Sequence, residues 1–262
     1  MSAVKLMTLV RKEWLEQLRS FKLIWIPLVF ALLGIMQPLT NYYMPVIIEK
    51  AGNMPEGAVI EMPVPSGAEV LAGTLSQFGM IGLLILALAF MGAVSGDRNS
   101  GAASLVLVKP VSFLSFILSK WLGMMTLLWG ALLIGYAASW YYTWLLFETV
   151  DFAPFLLSYV LYGLWFTFIL TAVLLFSTLL RSAAGAAFSA LGLALLLTAL
   201  SGIAPKYMGW SPSSLTGFAY EAVQGGFDAS ASFGWSIGVT ILLIAAGIAG
   251  SSALLRRQPA LD

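Results

Sequence analysis

Six stretches of the chain run without a charged residue for longer than the roughly 18 positions that mark a spanning-helix candidate. They are Leu23 to Ile48, Val70 to Gly96, Trp121 to Phe147, Phe152 to Leu180, Ser182 to Pro205 and Ala229 to Leu255. Each can cross roughly 30 Å of hydrocarbon at about 1.5 Å per residue. None alternates with period two as a barrel strand does, and lipid offers backbone groups no hydrogen-bond partner, so the pattern predicts helices. The expected fold class is an all-α integral membrane protein. Its six transmembrane helices lie at 23–44, 70–95, 120–147, 154–180, 182–204 and 233–255 of a single domain, 1–262.

Ahead of the first span the period changes. Val4, Met7, Val10, Trp14, Leu18 and Phe21 recur at three- and four-residue steps, with Lys5, Lys12, Glu16 and Arg19 opposite. This predicts an interfacial amphipathic helix over 1–22, its bases facing anionic headgroups. Two roles stay open for it: an anchor that orients the first span, or a docking surface for a partner.

Charge then sets the orientation. With the N-terminus inside, eleven bases (Lys5, Arg11, Lys12, Arg19, Lys22, Arg98, Lys109, Lys120, Arg181, Arg256, Arg257) face the cytoplasm and two (Lys50, Lys206) face out. That bias predicts both termini cytoplasmic in a multi-pass protein of the cell membrane, with a bacterial plasma membrane as the expected location. Tyr42, Tyr43, Trp140, Tyr141, Tyr142, Trp144, Tyr207 and Trp210 fall at the outer interface in this arrangement, and Trp14, Trp25 and Trp121 near the inner one. Met1 to Lys22 has no apolar core of its own and does not read as a cleaved signal peptide.

Composition excludes several chemistries. The chain is 60% hydrophobic and 10% charged, with a net charge of +1, so nothing points to nucleic acid. It has no cysteine and no histidine, which removes thiol and imidazole nucleophiles, haem ligation through them and the usual zinc sites; no metal site is expected. The span interiors carry no ionisable group, which disfavours a proton-driven carrier. No phosphate-binding loop is present, so any ATP hydrolysis belongs to another chain.

Between the spans, the inner segment 96–119 is longer than the roughly 2 to 8 residues that join packed antiparallel helices. Either a partner uses it or it forms a short interfacial segment. The outer loop 45–69 is rich in Pro and Gly, with room for a short strand at Val59 to Met62. The outer loop 205–232 has turn residues with apolar positions between them and room to re-enter the membrane. Small residues form packing faces at Gly92 and Gly96, at Ser182, Ala186 and Ala190, and at Ala246 and Gly250. Gln37, Asn41, Gln77, Thr167, Thr171, Ser177 and Thr178 are polar groups at depth, which either line a path or bond helix to helix.

The first inner loop carries a resemblance. Gly96, Asp97 and Arg98, then Gly101, the apolar Leu105, Val106 and Leu107, then Pro110, Val111 and Ser112, and finally Lys120 resemble the signature after the second span of type-2 ATP-binding-cassette (ABC-2) permeases. Arg11, Lys12 and Glu13 followed by Arg19 and Ser20 resemble that family's opening. Ala102, Ser104, Phe113 and Ser119 depart from its usual residues.

The resemblance implies the membrane subunit of an ATP-driven exporter, itself not an enzyme. Two permeases would pair, as a homodimer or with a related chain, each with a separate ABC ATPase subunit. The implied roles are coupling to that ATPase for Asp97, Arg98, Gly101, Leu105, Leu107 and Pro110, and an interfacial elbow containing Arg11, Lys12, Glu13 and Arg19. The chain would bind no cofactor, ATP and Mg belonging to the partner. A second reading keeps the fold but has it act on an extracytoplasmic partner as a mechanotransmission or assembly module. A secondary carrier comes third.

Overall fold

The computed structural model describes residues 3–51, 64–101 and 112–257. Leu105, Leu107, Pro110 and the strand expected at Val59 to Met62 lie outside the described residues. Within them the chain forms six helical spans long and apolar enough to cross a membrane: Lys22–Ile48, Gly67–Asn99, Phe113–Leu146, Phe152–Leu179, Ala183–Ile203 and Ala231–Arg257.

The first helix, α1 (Ala3–Arg19), meets α2 (Lys22–Ala51) at a sharp corner where Phe21 adopts φ +57°, a left-handed conformation uncommon for a residue with a side chain. Although α1 is amphipathic, its apolar side does not face the bundle. Val4, Met7, Trp14, Leu18 and Phe21 are exposed, whereas Val10, Glu13 and Gln17 are buried against the spans. The stripe i, i+3, i+7 that docks α1 is thus largely polar, and the apolar stripe is left for the lipid interface.

Three prolines, Pro27, Pro38 and Pro45, sit inside α2, which a membrane helix tolerates when neighbouring helices cover the freed carbonyls. The second span is composite: α3 (Gly67–Gln77), a π-helical turn (Phe78–Gly82), α4 (Leu83–Phe90), a non-helical turn over 91–94, and α5 (Ser95–Asn99). Ser66 starts it with a capping box, accepting from the Glu69 N–H at 3.3 Å while its own N–H donates to Glu69 Oε2 at 2.9 Å. The third span is α6 (Phe113–Leu146), capped by Ser112.

Helices therefore outlast the uncharged gaps: the second begins at Gly67 and the third at Phe113, where charge placed the boundaries at 70 and 120. In both cases the intervening charge is satisfied locally, Glu69 by the cap and Lys120 by ion pairs described below.

The fourth span, α7 (Phe152–Leu179), is the bundle axis: every residue from Trp165 to Leu174 is buried, which covers all its sides. It packs against α6, α8 (Ala183–Ile203) and α11 (Ala231–Arg257). The fifth and sixth spans, α8 and α11, are peripheral and expose Phe188, Leu195, Ile203, Trp235 and Leu242.

Residues 205–232 are not simply a loop. They contain α9 (Pro205–Met208) and α10 (Ser214–Gln224), and α10 buries Leu215, Ala219, Ala222 and Val223 against α7 and α3. That spacing is one face of a helix, concealed in the sequence by the turn residues around it.

Some polar groups at depth bond helix to helix, while Thr167 and Thr178 also bond carbonyls one turn back in their own helix. Thr74 and Ser139 hydroxyls meet at 2.7 Å, Trp121 Nε1 donates to Thr171 Oγ1 at 2.9 Å, and Tyr136 pairs with Ser158 at 2.9 Å. The closest approach is between α2 and α6: a Cβ on Gly34 would lie 2.0 Å from the Gly135 carbonyl oxygen, and one on Gly135 would lie 2.5 Å from that of Phe30. Ala186 and Ala190 are fully buried within the chain. Gly96 has open space where a Cβ would point, and Gly92 lies in the turn at 91–94, where a Cβ would meet Gly96 at 3.9 Å and the Ala183 Cβ at 4.0 Å.

Candidate functional site

At one end of the bundle the charges converge on the two stems of the first inner loop. Asp97, on α5, precedes the loop, and Lys120, on α6, follows it. Lys120 is buried, with 3% of its side chain exposed, and its Nζ lies 2.7 Å from Asp97 Oδ2 and 3.3 Å from Glu13 Oε1. Glu13 comes from α1. Lys12 completes the group, with Nζ 3.1 Å from Glu13 Oε1, 3.2 Å from Glu16 Oε2 and 3.8 Å from Asp97 Oδ2. Three elements far apart in sequence are thereby pinned at one point.

The electrostatics follow from burial. Desolvation alone would lower the Lys12 ammonium, but Glu13, Asp97 and Glu16 around it outweigh that, and its pKa is raised. Moving Lys120 out of water is costly; the Glu13 carboxylate, which accepts from it at 3.3 and 3.4 Å, and the ion-paired Asp97 carboxylate offset that cost. Such a cluster contributes more to a single defined arrangement of α1, α5 and α6 than to raw stability. The Lys120 ammonium also lies 5.2 Å from the Phe116 ring centroid.

The loop's entry stem has a second anchor. Arg98 Nη1 donates to the Thr178 carbonyl at 3.0 Å and Asn99 Nδ2 to that of Arg181 at 3.2 Å, tying α5 to the end of α7. Ser177 Oγ accepts from both the Val94 and Ser95 N–H groups at 3.1 Å, which satisfies the backbone freed by the turn at 91–94. Gly101 then leaves the helix at φ +74°, a conformation glycine adopts without steric cost. On the exit side Ser112 Oγ accepts from the Ser115 N–H at 3.2 Å.

Of the residues singled out in the sequence, Lys12, Glu13 and Asp97 come together, and Arg98 and Gly101 flank them. Arg11 and Arg19 are exposed on α1, away from the cluster. In the sequence Lys120 stands only as one of the eleven inner bases and as the last residue of the family spacing, neither of which marks it as buried. The sequence signal for its burial is a lone lysine with no other charge between Pro110 and Phe147. Glu16 and Ser177, which complete the network, carry no signal that separates them from an exposed acid and a packing serine.

A model of the ABC-2 family transporter proteins matches residues 7–217, from α1 through the cluster and into α10. The chain belongs to the ABC-2 family. It is a multi-pass membrane protein of the transport-permease type. The permease is also 40% identical over 239 residues to transmembrane protein YxlG of Bacillus subtilis (strain 168), an alignment covering 91% of this chain and 92% of that one.

Proposed function

We propose that this permease is the membrane subunit of an ATP-driven exporter, forming the translocation path as one of two paired permeases and taking its stroke from a separate ABC ATPase through the first inner loop. ATP and Mg are bound by that partner, and both permease termini face the cytoplasm. The observation that supports this most directly is the Glu13–Lys120–Asp97 cluster. Both stems of the loop are rooted in it, so a displacement of the loop is delivered at once to α1, to the second span and to the third. A loop rooted in this way transmits force, whereas a loose one would absorb it.

In this reading Asp97 and Arg98 fix the loop's entry, Gly101 turns it, Pro110 sets its return, and Leu105 and Leu107 supply the apolar contact with the ATPase. Leu105→Asp and Leu107→Asp should each release a copurifying ATPase or abolish permease-stimulated ATP hydrolysis, while the bundle remains inserted. Normal hydrolysis and normal ATPase association in both variants would remove the loop from the mechanism.

Orientation has its own check, made simple because the chain contains no cysteine. Cysteines introduced at Glu56 and Gln224 should react with an impermeant thiol reagent in intact cells, and one at Ser100 should react only after the membrane is opened. Labelling at Ser100 from outside would reverse the topology.

A further inference from the structure

A second feature lies at the other end of the bundle, within a single chain. A cleft of about 430 Å³ runs between the second, fourth and fifth spans, walled by Gly79, Leu83, Trp165, Leu191 and Ala194. At Thr198, Thr216 and Tyr220 it meets a second cleft of about 400 Å³ under α9 and α10. Each falls within the roughly 300–1,000 Å³ typical of small-molecule sites.

The first cleft sits on the π-helical turn Phe78–Gly82, where Leu83 N–H bonds to the Phe78 carbonyl. Such turns are rare and concentrate at functional sites. The backbone there makes room for a neighbour: a Cβ on Gly79 would lie 2.3 Å from the Tyr162 hydroxyl. That hydroxyl is 3.5 Å from Tyr220 Oη, at the junction of the two clefts. Met80 and Leu195, both exposed, form the lateral mouth.

Polarity changes along the path. The first cleft is lined mainly by carbon. The second is lined by Ser201, Ser213, Ser214 and Ser232, with Glu221 as its one charged residue and no Lys or Arg in its wall. The serines bond to one another and to helix carbonyls, Ser211 to Ser213 at 2.8 Å and Ser213 to the Leu197 carbonyl at 3.0 Å, so the polar end is held in place.

We infer that these two adjoining clefts together bind an amphipath with one alkyl chain in the Gly79–Trp165 half and an amine-bearing head beside Glu221. The carboxylate with no basic neighbour in the wall selects a cationic or amine head over an anionic one. The chain comes either from an aminophospholipid of the bilayer or from a free alkylamine. The binding does not depend on the ATPase partner or on the coupling loop, so the two readings fail separately.

The test uses the full chain in nanodiscs and two photoactivatable probes. Both carry a mid-chain diazirine; one has an alkyltrimethylammonium head and the other an alkyl sulfate head. Adducts of the ammonium probe should concentrate on Met80, Leu195 and Thr198. Thr198→Trp, which fills the junction, should lower them about tenfold, the loss expected for about 1.4 kcal/mol of binding. Glu221→Gln should lower labelling by the ammonium probe by about fivefold, the size of a near-contact charge interaction in water, and should not lower labelling by the sulfate probe.

A diazirine-bearing phosphatidylethanolamine in a parallel arm distinguishes the sources: adducts at the same three residues identify a bilayer lipid, and labelling by the free probe alone identifies a free amphipath. Ser76→Trp, on the opposite wall, replaces Thr198→Trp if the latter lowers the melting temperature. Adducts scattered equally over lipid-facing Trp235 and Leu242, or unchanged by a cleft-filling variant that melts like the unsubstituted chain, would overturn the inference.

Discussion

Lys120→Met is expected to cost about 3–5 kcal/mol of stability, the range for removing one partner of a buried ion pair. The cost comes from what remains: Glu13 and Asp97, with 10% and 14% of their side chains exposed, are left facing each other with the partly exposed Lys12 as their shared ion-pair partner. The triple variant Lys120→Met, Glu13→Gln, Asp97→Asn should recover most of that stability, because a buried ion pair replaced as a unit is often neutral or better.

Stability and coupling should then part. The rescued triple variant should melt like the unsubstituted chain in detergent yet stimulate a partner ATPase less, since α1, α5 and α6 are no longer held in one arrangement. Full recovery of both would reduce the cluster to a folding device. Failure to recover stability would place the cost in packing around Phe116 and Met124, not in charge.

The spans were legible because a membrane helix declares itself by length without charge, a signal strong enough to survive three prolines in α2. Interruptions inside them were not. The π-helical turn at Phe78–Gly82 and the turn at 91–94 sit in a run whose composition does not change, and their causes are partners distant in sequence, Tyr162 and Ser177. The face by which the interfacial helix α1 docks on the bundle is not legible for a related reason. In a membrane protein, apolar positions mark lipid as readily as core, so Val4, Met7 and Trp14 point away from the bundle while Glu13 and Gln17 point into it. The site was half legible: the loop's length and its glycine, acid and arginine drew attention to one stem, but only the fold brings Lys120 and Glu13 to it. The helix in 205–232 was hidden by the same mixture of turn and apolar residues that made the segment read as a loop.

The glycine signal shows how spacing rules mislead, and it yields the second large effect. Gly92 and Gly96 have the spacing of a packing motif but Gly92 lies in the turn at 91–94, whereas the tightest backbone approach joins Gly135, in the unremarked small-residue stripe Ala131, Gly135 and Ser139, to Gly34, which has no such stripe. Gly34→Ala places a methyl carbon 2.0 Å from a carbonyl oxygen that belongs to backbone and cannot rotate away. The first and third spans must separate, and the loss should reach or exceed the upper end of the about 1–3 kcal/mol usual for overpacking. Gly130→Ala on α6, the helix that carries Gly135, where a Cβ meets nothing within 4 Å, should cost nothing or add stability through helix propensity. Because α1 leans on both α2 and α6, separating them also pulls Glu13 from Lys120. Gly34→Ala should therefore weaken coupled ATP hydrolysis even though it lies far from the loop, and Lys120→Met added to it should cost less than Lys120→Met alone. Strict additivity in that double-mutant cycle would mean that the helix crossing and the ion-pair cluster are independent.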